Sequence, residues 1–144
     1  MSEKEKALVR RFFEGVNKDK AAFMATVDEL YATDYVEHGG TGEDTRGIQD
    51  YKQSMNEFYG AFPDVHATLD DMIVEGDRVA VRFTLSFTHK GEFMGAPPTN
   101  KKVTMEEICI IRIADGKFVE TWARYDTSGF MQQLGLVPTP RKEE

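Results

Sequence analysis

The sequence predicts an α+β domain in which a curved antiparallel sheet wraps around N-terminal helices and encloses one internal pocket. Three observations carry that prediction. Apolar residues recur at steps of three and four from Leu8 to Phe62, and at steps of two from Val79 to His89. Turn signals at Glu75-Gly76-Asp77 and Asp115-Gly116 divide the second half into hairpin-connected runs. Helices first and strands after is the order that segregates helices on one face of a sheet.

The first helix, residues 3–16, places Leu8, Val9, Phe12, Phe13 and Val16 on one face. Ser2 is its expected N-cap, with Glu3 and Glu5 near the positive end of the dipole, and Asn17 its stop. A second helix begins near Asp19 and aligns Phe23, Val27, Leu30 and Tyr31. Residues 31–37 read as irregular, and Gly39-Gly40-Thr41-Gly42 as a loop that tolerates positive φ. The third helix aligns Ile48, Tyr51, Met55, Phe58 and Phe62, with Asp44 or Thr45 as cap. Pro63 stops it, because proline disfavours helical geometry in the preceding residue and has no N–H to donate.

Residues 67–74 lead through the first turn into the clearest strand, residues 78–89. Val79, Val81, Phe83, Leu85, Phe87 and His89 share one face, and Arg78, Ala80, Arg82, Thr84, Ser86 and Thr88 the other. Gly91, Gly95 and Pro97-Pro98 mark a loop over residues 90–100. Two strands follow, residues 102–113 and 118–125, joined by a type I′ signal at Asp115-Gly116. A last helix, residues 128–134, ends at Gly135, a natural C′ residue. The domain is read as residues 1–137, with 138–144 a charged tail predicted to be disordered.

Composition narrows the partners. The 144 residues are one domain by length, and 10 Phe, 5 Tyr and 1 Trp supply more rings than a core of this size needs, as in small-molecule pockets. A net charge of −7 without a basic stripe repels phosphate backbones, so nucleic acid and acidic membranes are not expected partners. Cys109, between two isoleucines, reads as a buried inert thiol and excludes an internal disulfide. His38, His66 and His89 lack metal-ligand spacing, so no metal is expected. The N-terminus is charged, with no apolar core of a signal peptide, and the expected location is cytoplasmic.

Strand parity selects the candidate chemistry. His89 shares the apolar face of its strand; Phe118, Trp122 and Asp126 share one parity on the last strand. An inward carboxylate in an apolar cavity has a raised pKa and is suited to moving protons near neutral pH. Asp126 with His89 is therefore the expected catalytic pair. Phe58, Phe62, Phe87 and Trp122 are the expected walls, and Tyr35 and His38 the mouth. Plainer readings stand beside these: Asp126 as the cap of the last helix, His89 as a core histidine, Tyr35 and His38 as surface-loop residues. The same parity turns Glu120 and Arg124 inward, unless a β-bulge shifts the phase.

Several motifs, in this order and spacing, resemble the SnoaL-like polyketide cyclases. They are Phe62-Pro63-Asp64, Glu75-Gly76-Asp77-Arg78-Val79-Ala80, Thr88-His89-Lys90-Gly91-Glu92-Phe93-Met94-Gly95, Pro97-Pro98-Thr99, Arg112-Ile113-Ala114-Asp115-Gly116-Lys117, and Glu120-Thr121-Trp122 followed by Asp126. The resemblance implies a cone-shaped fold of the ketosteroid-isomerase and nuclear-transport-factor type, dimeric through its sheet, without a cofactor. It implies that Asp126 removes a proton alpha to a carbonyl, that His89 stands beside the reacting centre, and that a small hydrophobic carbonyl compound closes by an aldol step. Phe87 replaces a smaller residue of the family pattern and predicts a reduced cavity. Two other readings are an epoxide-hydrolase-like site using an inward Arg124, and a non-catalytic ligand-binding or dimerisation domain.

Overall fold

The structure is a computed structural model that describes residues 2–39 and 44–136. The expected tail and residues 40–42 of the glycine loop lie outside the described residues. In chain order the elements are α1 (Ser2–Lys18), α2 (Lys20–Leu30), β1 (Tyr31–His38), β2 (Thr45–Arg46), α3 (Ile48–Ala61), β3 (His66–Glu75), β4 (Arg78–Thr88), β5 (Lys102–Ala114), β6 (Lys117–Tyr125) and α4 (Thr127–Leu134).

Local chemistry explains most boundaries. Asp19 caps α2, its carboxylate accepting from the Ala22 N–H at 2.7 Å. The expected cap of α3 at Asp44 or Thr45 is corrected: the cap is Gly47, at φ +87°, a conformation that favours glycine. The side chain that turns back there belongs to Asp50, which accepts from the Arg46 N–H. Asp115 at φ +52° and Gly116 at φ +72° form the predicted hairpin turn, and Gly135 at φ +76° closes α4. Asn17 both donates to and accepts from the backbone of Ala67, tying the end of α1 to β3.

The sheet runs β2-β1-β6-β5-β4-β3. From β6 to β3 it is antiparallel, as the hairpin signals require. Residues 31–37, read as irregular, form β1 instead and pair parallel to β6, so the sheet is mixed. Tyr31, Tyr35 and Glu37 share one parity along β1, but Thr33 among them is polar and exposed and the register shifts between Tyr31 and Val36, which hides the apolar pattern.

The phase of β6 is also corrected. Arg112 lies opposite Glu120, but Ile113 lies opposite Phe118, which leaves Val119 as an extra residue. That bulge reverses the parity of everything after it. Phe118, Thr121 and Ala123 are buried towards the helices, and Trp122, expected inward, lies on the outer face with Glu120 and Arg124. Arg78 sits 5.0 Å above the Trp122 ring, and the His38 ring stacks on it at 5.5 Å.

The core lies between the inner face of the sheet and the three longer helices. Val9, Val27, Val79 and Val103 are fully buried there. Its two ends differ in what fills them, and one end is hollow.

Candidate active site

The hollow is a cavity of about 280 Å³ between α1, α2, α3 and the sheet, with Phe93 of the 89–101 loop and Phe130 of α4 on its rim. Its walls are aromatic: Phe12, Phe13, Phe23, Phe58, Phe83 and Tyr59. Its polar groups include Tyr31, Tyr35 and Glu37 on β1, Glu107 on β5, Thr121 and Tyr125 on β6, and Tyr51 on α3. The lining contains no lysine, arginine or histidine among the described residues. A second hollow, between α1 and β3 and bordered by Arg10, Glu14 and Lys18, is an open surface groove.

Sheet register explains why two carboxyl groups meet here. Glu37 lies opposite Thr121 on β6, and Glu107 lies opposite Tyr125. Between those positions comes Ala123, paired with Cys109. Both are small, so the floor between the glutamates stays open. Glu107 shares its parity with Val103, Met105, Cys109 and Ile111, all buried, and so is turned inward by the same pleat.

Burial dominates the electrostatics. Glu37 is desolvated, which raises its pKa, while a hydrogen bond from the Tyr35 hydroxyl at 3.2 Å opposes the rise. Glu107 is pushed up to about 8, first by desolvation and then by the charge of Glu37. The second cause gives the order of ionisation: Glu37 loses its proton before Glu107 does. A carboxyl that holds its proton to about 8 beside one that gives it up first is the arrangement an acid and a base sharing a site require. Cys109 beside them is pushed up as well, by burial and by both glutamates, so its thiol is inert.

The tyrosines form a rigid group. Tyr31 and Tyr51 stack with centroids 4.8 Å apart, and their hydroxyls meet at 3.2 Å. Tyr35 stands edge-on to both. Burial raises all three phenols well above their ordinary value, so they remain neutral hydroxyls.

The structure brings some of the sequence-predicted residues to this cavity and leaves others outside. Tyr35 and Phe58 line it. Phe62 and Phe87 are fully buried behind Phe58, in contact with its ring at 4.9 and 5.4 Å, and do not line it. His89 is fully buried next to Phe62. Its Nδ1 lies 3.0 Å from the Thr99 hydroxyl and 3.3 Å from the Thr99 N–H, and its Nε2 has no partner among the described residues.

Asp126 is exposed and caps α4, accepting from the Gly129 N–H at 2.8 Å. The expected pairing of Asp126 with His89 inside one cavity is thus not the arrangement found. His38 lies at the outer face, bonded to Glu120 at 2.6 Å and Asp44 at 2.9 Å, and Trp122 lies beneath it. The bond to Glu120 is the main cause of a raised His38 pKa and a lowered Glu120 pKa. Arg124 is exposed, its guanidinium donating to the Ala123 and His38 carbonyls. The arginine-centred set of an epoxide-hydrolase-like site does not assemble.

Glu37 and Glu107 are the site residues that sequence reasoning missed. For Glu107 the signal was present: it is a lone carboxylate on the inward parity of an otherwise apolar strand.

Comparison with known proteins follows the same lines. A family model described as SnoaL-like polyketide cyclase matches residues 7–134. The aklanonic acid methyl ester cyclase DnrD of Streptomyces peucetius is 30% identical over 138 residues, covering 92% of both chains. Among solved structures, AclR of Streptomyces galilaeus, a proposed hydroxylase, superposes with a TM-score of 0.82 at 30% identity, over 96% of this chain and 99% of its own. A SnoaL-like protein from Jannaschia sp. CCS1 superposes with a TM-score of 0.85 over 94% of both chains; at 20% identity it shows the fold alone.

Proposed function

We propose that this chain, which belongs to the SnoaL-like polyketide cyclase family, moves a proton alpha to a carbonyl and closes a ring by an aldol-type step, without a cofactor. The observation that carries this reading is the pair of inward glutamates, Glu37 and Glu107, in one cavity walled by rings. Glu37 takes the α-proton, and the electrons of the C–H bond pass to the carbonyl oxygen. The enolate carbon attacks a second carbonyl, whose oxygen takes the proton of Glu107. Proton return from Glu37 to Glu107 resets the pair. A hydroxyl-to-carboxylate bond from Tyr35 positions Glu37.

The cavity's volume, about 280 Å³, is at the bottom of the usual range of roughly 300–1,000 Å³ for ligand pockets. A bicyclic carbonyl compound suits it better than a tetracyclic one. The test is hydrogen exchange of 2-tetralone in D₂O, followed by NMR of its α-protons. Wild-type protein is expected to accelerate exchange, and Glu37→Gln to lose the acceleration. The family resemblance instead implies Asp126 as the base, assisted by His89. Loss of exchange in Asp126→Asn with Glu37→Gln unaffected would favour that reading.

The proposed assembly is a homodimer through the outer face of the sheet. One row across that face reads Ile73, Ala80, Ile110, Trp122 and His38, and Ile108 lies in the next row. Ile73 is 64% exposed and Ile108 56%, an apolar surface that monomers seldom leave open. Sedimentation of Ile108→Glu is expected to give a monomer where the parent gives a dimer. Among the described residues no helix is long and apolar enough to cross a membrane. The acidic net charge disfavours nucleic acid, and the single thiol is consistent with the cytoplasm.

A further inference from the structure

Two hydroxyls in the cavity have more hydrogens than acceptors. Tyr31 and Tyr51 bond to each other at 3.2 Å, and in either direction that bond uses one hydroxyl hydrogen and leaves the other over. No other side chain or backbone carbonyl among the described residues bonds to either oxygen. Both residues line the cavity, so the surplus hydrogen has the cavity to point into.

Three further features make this a built site. The rings are stacked within 17° of parallel and held edge-on by Tyr35 and Phe118, so the hydroxyls are fixed in place. A hydroxyl that itself accepts a hydrogen bond is a stronger donor. Both phenols also feel the charge of Glu37, which places the hydroxyls near that carboxyl.

We propose that Tyr31 and Tyr51 act as one donor unit that grips the carbonyl oxygen of the ligand, with its α-carbon turned to Glu37. This rests on the acid–base reading above and adds the place where the enolate charge is held. When Glu37 takes the α-proton, the C–H electron pair becomes the C=C bond and the carbonyl π electrons settle on oxygen. The dyad's hydrogen bond strengthens at that moment, with no atom lost and no oxidant needed. The ligand class follows: a neutral ketone or ester, since a carboxylate end would meet two glutamates and no cation.

The test uses 2-tetralone labelled with ¹³C at the carbonyl, bound to the full chain, and isotope-edited infrared spectroscopy of its C=O stretch. The bound stretch is expected below its value in hydrocarbon solvent. Tyr51→Phe and Tyr31→Phe are each expected to return it part of the way, because one hydroxyl still donates, and the double variant all of the way. Either single variant suffices if the double variant does not fold.

A stretch unmoved by the tyrosine variants overturns the proposal. So does a stretch that reverts in Glu107→Gln or above the titration of Glu107 instead, which would make the glutamic acid the donor. Failure of wild-type protein to shift the stretch overturns it as well. The acid–base reading is tested separately in the same sample by α-proton exchange. A tyrosine-dependent stretch without Glu37-dependent exchange would keep the donor unit and reject the proton shuttle.

Discussion

The two ends of the cavity are built on the same sheet and filled by opposite principles. At one end Phe58, Phe62, Phe87, Phe93 and Phe130 pack ring against ring, with centroids 4.5 to 5.9 Å apart. His89 is fully buried against Phe62. At the other end Tyr31, Tyr35, Tyr51, Glu37 and Glu107 surround space, and their hydrogen bonds to one another are fewer than they are able to make. Rings satisfy themselves by contact alone, so the phenylalanine end fixes the shape of the cone. Buried hydroxyls and carboxyls are costly unless something completes them, so the tyrosine–glutamate end is where a ligand gains most.

The contrast predicts that the two ends fail differently. The largest effect is expected at the polar end: Glu37→Gln should lower α-proton exchange, and Glu107→Gln ring-closing turnover, by about 10²–10⁴-fold while the protein stays folded. Steady-state kinetics beside a thermal melt separates the two quantities. Phe62→Ala at the apolar end should do the reverse, costing roughly 3–5 kcal/mol of stability by denaturant titration. A fully buried ring in contact with Phe58, Phe87, Phe93 and Phe130 leaves a cavity that its neighbours cannot fill.

Stability should also depend on pH through the polar end. In the folded chain Glu107 has its pKa raised from 4.5 to about 8, so the native state holds the proton more tightly than the unfolded chain. Its contribution is complete below about pH 4.5 and is lost as the pH rises towards 8. Urea melts of wild type and Glu107→Gln across that window should converge at low pH, with the variant gaining relative to the parent above it. The smallest effect belongs to the surface: Asp126→Ala should cost about 1 kcal/mol, the worth of a helix N-cap, and leave exchange unchanged.

The apolar end was legible in the sequence and the polar end was not, for a physical reason. Phe58 and Phe62 fall at helical steps and Phe87 at a strand step, and burial follows periodicity wherever the repeat is unbroken. Trp122 and Asp126 were misplaced because one extra residue, Val119, reverses every side chain beyond it, and a bulge leaves no compositional mark in this stretch. Glu37 was hidden by a strand whose parallel partner lies more than eighty residues away, where no hairpin signal exists. Glu107 was visible as a carboxylate within an apolar parity set. What parity alone lacked was the second strand that makes it one of a pair.

A ¹³C NMR titration of the Glu107 side-chain carboxyl, assigned by comparison with Glu107→Gln, tests the acid–base pair most directly. A midpoint near 8 that falls when Glu37 is replaced by glutamine is the expected result. A midpoint near the ordinary 4.5, indifferent to Glu37, would contradict it.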